Sequence, residues 1–236
     1  MTLLWRICFS ALSLLQLQAA TVSGSVRLRD SRDPGVRAMD YSGLVVWLVP
    51  ASGARPELPR NHARMVQKNK TFTPHVLAIP MGTTVDFPNF DPIFHNAFSS
   101  YNGQIFDVGL YPPGTNRSVQ FARPGIVRVF CNIHANMSAV IAVLESPWFA
   151  VSRRDGAYTI ADVPTGAYTL HVFHERATQA TLDALKQNVN VLPDGLHVAP
   201  LSVSESGYLA IPHKNKYGHE YSPAPDSQGV YPAVRK

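Results

Sequence analysis

At 236 residues the chain is long enough for one large domain or two small ones. Its 19 prolines and 15 glycines punctuate short apolar runs and leave few stretches long enough for helices, the pattern of an all-β chain. The formal charge of +5 is spread without a long run of one sign, which argues against a nucleic-acid groove and supports at most weak attraction to an acidic partner surface.

Residues 1–20 read as a secretory signal: Arg6 supplies a positive start, Ile7 to Leu17 an apolar stretch and Gln18-Ala19-Ala20 a small-residue end. The apolar run is short for a membrane span, so no span is expected after cleavage. Cys8 is expected to leave with the signal, making Cys131 the single cysteine of the exported chain, unable to form an internal disulfide. Val22 to Leu28 alternates like a half-buried strand, and Gly43 to Val49 reads as a buried one, followed by a turn-rich linker from Pro50 to Pro56. Two strands cannot bury both faces alone. Their partners are expected after residue 145, where Asp155-Gly156-Ala157-Tyr158 and then Pro164-Thr165-Gly166-Ala167-Tyr168-Thr169-Leu170 spell turn, strand, turn, strand. Ala177 to Gln187 has the composition of a short helix, and Asn188 to Val191 and His197 to Val203 look like further strands. From about residue 210 the Pro-, Tyr- and Lys-containing tail lacks an apolar period and is expected to be poorly ordered or draped over the surface, with His213 and His219 solvated.

Between these halves lies the stretch with chemistry. A strand from Ile126 to Phe130 runs into Cys131-Asn132-Ile133-His134-Ala135-Asn136-Met137, and a second strand, Ser138 to Leu144, leaves it. Thiolate, imidazole and thioether in C-x2-H-x2-M spacing on one tight loop can converge on one point. One Cys, two His and a weak axial Met form the ligand set of an electron-transfer copper site, because thiolate suits Cu(I) and imidazole is acceptable to both oxidation states. The loop lacks one imidazole, and His95, followed by Asn96, is the candidate. Each residue also has a plainer reading: a buried core cysteine, an ordinary loop histidine, a methionine filling the core, an asparagine satisfying local backbone. His75 reads as a surface or strand histidine, and His171 and His174, three apart, do not pair on one strand face.

The region from about Val66 to Leu144 resembles a cupredoxin, with the loop spacing and His-Asn pair most similar to the amicyanin branch. The wider pattern, Phe72-x-Pro74-His75, Pro80-x-Gly82-Thr83-x-Val85-x-Phe87-x-Asn89 and then His95-Asn96, resembles cupredoxin proteins labelled as methylamine-utilisation proteins. The resemblance implies one type 1 copper ion held by His95, Cys131 and His134 with Met137 axial. It also implies that His134 is the more exposed ligand and electron exit, and that Asn96 orients the ligand loops by hydrogen bonding. The flanking D-G-x-Y and P-x-G-x-Y-x-L patterns resemble carboxypeptidase-regulatory-like or transthyretin-like sandwiches. The expected architecture is therefore a Greek-key cupredoxin sandwich (61–145) inserted in or joined to a second small β-sandwich made of 21–60 and 146–209, with a tail at 210–236.

The implied function is periplasmic transfer of single electrons between redox partners, such as a cytochrome or a periplasmic oxidoreductase. The alternative is a copper-binding, delivery or structural accessory protein. No Ser/His/Asp or paired-carboxylate arrangement stands out, so an enzyme is not expected. Ile133 and Ala135 stand where many blue-copper loops carry proline beside the second histidine.

Overall fold

A computed structural model describes residues 19–33, 35, 39–52, 56–100, 103–209 and 213–221. Of the expected export signal, residues 1–20, residues 1–18 lie outside the described residues, while Ala19 and Ala20 belong to the first strand. The described chain is almost entirely β, as its composition suggests. Strand β1 (Ala19–Arg29) keeps the strict alternation read from Val22 to Leu28, and β2 (Val45–Pro50) buries Val46 and Leu48 on one face and Val45 on the other.

The middle of the chain builds two facing layers. Short strands β3 (His62–Arg64), β7 (Thr84–Asp86) and β10 (Ser118–Gln120) form one sheet, with the hairpin β4 (Val66–Lys68) and β5 (Thr71–Thr73) at its side. The opposite sheet runs in the order β6 (Val76–Pro80), β12 (Ser138–Leu144), β11 (Gly125–Phe130), β8 (Phe98–Ser99), β9 (Phe106–Asp107). Met65, Val85, Phe87, Phe121, Val127, Val129 and Ile141 fill the space within.

The last third returns to the first two strands. β14 (Ala157–Pro164) pairs antiparallel with β1, and β17 (Leu196–His197) and β18 (Leu201–Ser204) pair with it in parallel. β13 (Phe149–Val151), β2, β15 (Gly166–Phe173) and β16 (Gln187–Val191) make the facing sheet, and Val22, Val26, Leu48, Ile160, Leu170 and Val203 pack between the two. The helix expected over residues 177–187 is shorter, α1 (Gln179–Ala184), because Thr178 caps it by accepting from Thr181 N–H and Gln187 is taken into β16. The Asp155-Gly156 pair is the joint between the early and late segments. Gly156 sits at φ +81°, its carbonyl accepts from Val26 N–H at 2.9 Å, and a Cβ there would lie 2.1 Å from Val26 O.

β12 explains its own uninterrupted apolar sequence, since both of its faces are covered. Ala139, Ile141 and Val143 point into the middle core, while Val140, Ala142 and Leu144 pack with Val45, Phe173 and Leu182 of the other sandwich. A polar clasp accompanies this apolar seam. His75 bonds Ser138 O (3.1 Å) through Nδ1 and the Glu175 carboxylate (2.9 Å) through Nε2, and Arg128 donates to Glu175 O at 3.2 Å. The bond to Glu175 raises the His75 pKa above its ordinary 6.5. Burial pushes the Glu175 carboxyl up, but the bond from His75 and the charges of His75 and Arg176 outweigh it and hold the group below 4.5. The His75 contribution to stability is thus complete below pH 6.5 and fades as pH rises through its raised pKa, while that of Glu175 is lost only in acid. His75 is half exposed, so His75→Gln is expected to cost about 0.5–1 kcal/mol at pH 5.5 and close to nothing at pH 9. Urea unfolding at the two pH values checks this, and a cost independent of pH would contradict it.

Candidate metal centre

β11 and β12 are joined by the loop 131–137, and their last ladder pair is Phe130 with Ser138. Beyond that pair the loop closes on itself: Cys131 N–H donates to Met137 O at 3.1 Å and Met137 N–H to His134 O at 3.0 Å. Cys131 and Met137 are fully buried at the two ends of this turn, among the residues of the middle core, and His134 is half-buried between them. The alternation of the strands sets this arrangement, because Val127, Val129 and Cys131 all point inward.

His95 comes from the loop between β7 and β8. A two-way backbone bridge with Tyr111 (3.2 and 2.9 Å) fixes its main chain, and its ring is fully buried. Tyr111 is itself held, donating from its hydroxyl to Phe87 O at 2.7 Å and accepting from the Gln67 amide. The imidazole is gripped from one side: Nε2 bonds Asp91 Oδ2 at 2.7 Å. Its other nitrogen, Nδ1, lies 3.8 Å from Cys131 Sγ, and His134 Nδ1 lies 3.6 Å from the same sulfur. These three donor atoms lie within 4.8 Å of one another, and the two rings meet edge-on with centroids 4.9 Å apart.

This donor set fits a single metal ion. Bonds of about 2.0–2.1 Å to nitrogen and about 2.3 Å to sulfur, at angles between about 109° and 120°, separate S from N by about 3.6–3.8 Å. The observed separations are 3.6 and 3.8 Å. Burial, followed by the neighbouring His95 and Lys70, lowers the His134 pKa to about 4. Its imidazole is therefore neutral at physiological pH, the form a metal requires. The structure thus brings His95, Cys131 and His134 together and places Met137 at the end of the 131–137 loop. Among the described residues they are the only His/Cys/Asp/Glu group that meets metal-ligand spacing. His75, His171 and His174 stand apart from it: His171 stacks on Trp47 at 5.0 Å, and buried His174 lies beside Glu205.

Asn96, which the resemblance makes an organiser of the ligand loops, has its partners in the segment around residues 107–109. Its amide donates to Asp107 Oδ1 (2.7 Å) and Gly109 O (2.9 Å), neither of which carries a donor of the cluster. It reaches the 131–137 loop through the tail. Lys216 Nζ binds Asp107 Oδ2 at 2.8 Å, and Lys216 N–H donates to Asn132 Oδ1 at 2.9 Å. Of the tail, expected to be poorly ordered or draped over the surface, residues 213–221 are described, and His213 is packed rather than solvated as expected. Residues 213–221 dock on the loop, His213 stacking on Phe130 (4.0 Å between centroids) and Tyr221 donating to Cys131 O at 2.7 Å. His219 is exposed as expected. Sequence reasoning missed Asp91, Lys216 and Tyr221. Asp91 had a signal, an acid four residues before the histidine in a loop pinned by proline; the tail had none, because isolated aromatic and polar contacts leave no periodicity.

No family model and no curated protein matches the chain. Among solved structures, it is similar to a purple cupredoxin from Nitrosopumilus maritimus (26% identity, 35% of this chain and 99% of that one, TM-score 0.32). It is also similar to the copper-containing nitrite reductase from Thermus scotoductus (25% identity, 50% of this chain and 28% of that one, TM-score 0.33). A third likeness is to an oxidized mutant of amicyanin (15% identity, 35% of this chain and 81% of that one, TM-score 0.33). Each likeness involves part of the chain, and at these scores the reading of the site rests on its own residues.

Because the tail holds the loop by its backbone, ending the chain after residue 209 is expected to loosen residues 131–133. Loss of contacts worth about 1–1.5 kcal/mol corresponds to roughly tenfold faster amide exchange there. Exchange measured by mass spectrometry that left these amides as protected as in the full chain would contradict this role.

Proposed function

We propose that the chain is an exported copper protein that carries single electrons through a type 1 centre made by His95, Cys131 and His134, with Met137 as a weak axial ligand. The observation that carries this reading is the buried cluster itself, with two imidazole nitrogens at 3.6 and 3.8 Å from one thiol sulfur. Copper held there supplies a one-electron Cu(II)/Cu(I) couple, with thiolate favouring Cu(I) and imidazole serving both states. The protein's part is to keep the donors from moving. His95 is fixed by Tyr111 and Asp91, Cys131 by the closure of its loop, and the tail backs the loop through Tyr221 and Lys216. Half-buried His134 is the proposed exit for electrons. Exposed Phe90, Phe94 and Leu110, from the chain on either side of His95, and Ile133, beside His134, offer apolar contact to a partner.

The partner in this reading is a redox protein such as a cytochrome or a periplasmic oxidoreductase, and the site of action is the periplasm, which rests on the signal read at residues 1–20. Among the described residues no helix is long and apolar enough to cross a membrane. The separate cores support a cupredoxin-like unit (61–145) inserted into a carboxypeptidase-regulatory-like sandwich made from residues before and after it: residues 65–143 supply one core, and residues 20–48 and 158–203 the other. Copper delivery is the second reading. Fixed, buried donors disfavour it, because a delivery site has to release its ion readily.

The test is a visible absorption and EPR spectrum of the protein loaded with Cu(II), beside Cys131→Ser. The expected result is an intense thiolate-to-copper charge-transfer band with narrow copper hyperfine splitting, both lost in the variant, and reversible bleaching on one-electron reduction. A colourless protein, or ordinary copper signals indifferent to Cys131→Ser, would sink the electron-carrier reading.

A further inference from the structure

The grip on His95 is more elaborate than a ligand histidine needs for packing alone. Asp91 Oδ2 meets Nε2 at 2.7 Å, with the imidazole fully buried and the carboxylate nearly so. The carboxylate is in turn held by the tip of the β4–β5 hairpin, where Asn69 N–H donates to Oδ1 at 2.6 Å and Lys70 N–H to Oδ2 at 2.8 Å. Both tip residues sit at φ +56°, the left-handed region that a two-residue type I′ turn requires. Lysine adopts that region at a cost, and here the conformation aims two successive N–H groups at one carboxylate. Asn89, fully buried, completes the mount: its Oδ1 accepts from Asp91 N–H at 3.0 Å, and its Nδ2 donates to Ile93 O at 2.8 Å.

Two consequences follow from chemistry. An ionised carboxylate only accepts hydrogen bonds, so the proton of a neutral His95 sits on Nε2 and the lone pair of Nδ1 is left facing Cys131 Sγ. Among the described residues, Asp91 has no Lys or Arg ion-pair partner; its one ion-pair contact is His95. Its negative charge therefore faces the cluster through His95. Two imidazoles and a thiolate give the centre a net charge of +1 with Cu(II) and zero with Cu(I). A buried anion on the far side of one imidazole favours the more positive state and makes that imidazole a stronger donor.

We propose that Asp91 is the residue that positions His95 and biases the centre toward Cu(II), so that the β4–β5 hairpin and Asp91 together lower its reduction potential. This rests on the type 1 copper reading, and its test separates the two. Full-length protein is loaded with copper and titrated by redox mediators, alongside Asp91→Asn and, as a control for net charge, Asp86→Asn. Asp86 is a carboxylate of the same unit paired with Ser118 and His62. Asp91→Asn is expected to keep the charge-transfer band and to lose about tenfold in preference for Cu(II) over Cu(I), in line with the effect of outer-shell partners on metal sites. Tenfold is a rise of about 59 mV for one electron. Asp86→Asn is expected to stay within about twofold of the parent. A parent protein with a type 1 spectrum and an Asp91→Asn potential unchanged or lower would overturn the role of Asp91 alone. A parent without that spectrum would overturn the copper reading and the redox role together. Where Asp91→Asn fails to fold or load, nitrogen NMR of the unaltered metal-free protein decides: a proton on His95 Nε2 supports the assignment, and a proton on Nδ1 overturns it.

Discussion

Two imidazole nitrogens and a thiol sulfur lie within 4.8 Å of one another, two of the three residues fully buried and His134 half-buried, and each needs a reason not to turn away. For Cys131 the reason is the strand it directly follows: it continues the inward face of Val127 and Val129 in β11, and the loop then closes through Cys131 N–H to Met137 O. For His95 it is a double restraint, backbone to Tyr111 and ring to Asp91. His134 is the least restrained and the least buried, and it rides on the loop the other two ends define. A rigid donor set suits a one-electron couple because little has to rearrange when the charge on the metal changes.

The surrounding architecture maintains that restraint at a distance. β12 leaves the loop with both faces covered, so the strand carrying Met137's neighbours cannot shift without disturbing two cores. The outer sandwich contributes Val45, Phe173 and Leu182 to this seam and Glu175 to the polar clasp at Ser138, the residue after Met137. On the other side, the docked tail reaches Cys131 O and Asn132. The loop is thus backed by chain segments from residues 75, 175 and 213–221, far apart in sequence.

How much of this could be read in advance follows the kind of force involved. Periodic burial leaves a trace: the alternation in β1, the continuous apolar run of β12 and the C-x2-H-x2-M loop were all legible, and so was the need for a distant histidine. The helix expected over residues 177–187 is shorter at both ends: Thr178 caps its start, and Gln187 pairs with Leu170 of the Gly166–Phe173 strand, a long-range pairing that leaves no local signal. Side-chain bonds between residues distant in sequence leave no period. The carboxylate mount at Asp91 depends on a left-handed hairpin tip at Asn69 and Lys70, and the tail's grip on Asn132 depends on a single backbone N–H. The place of Asn96 beside His95 is legible in the sequence, while its amide partners, Asp107 and Gly109, lie too far along the chain to be read there.

The most direct measurement of the central claim is X-ray absorption at the copper edge for protein loaded with Cu(II) and then reduced in place to Cu(I). The account predicts one short sulfur scatterer and two imidazoles in both states, with metal–ligand distances that change little on reduction. A shell of nitrogen and oxygen without sulfur, or a ligand set that changes between the two states, would contradict it.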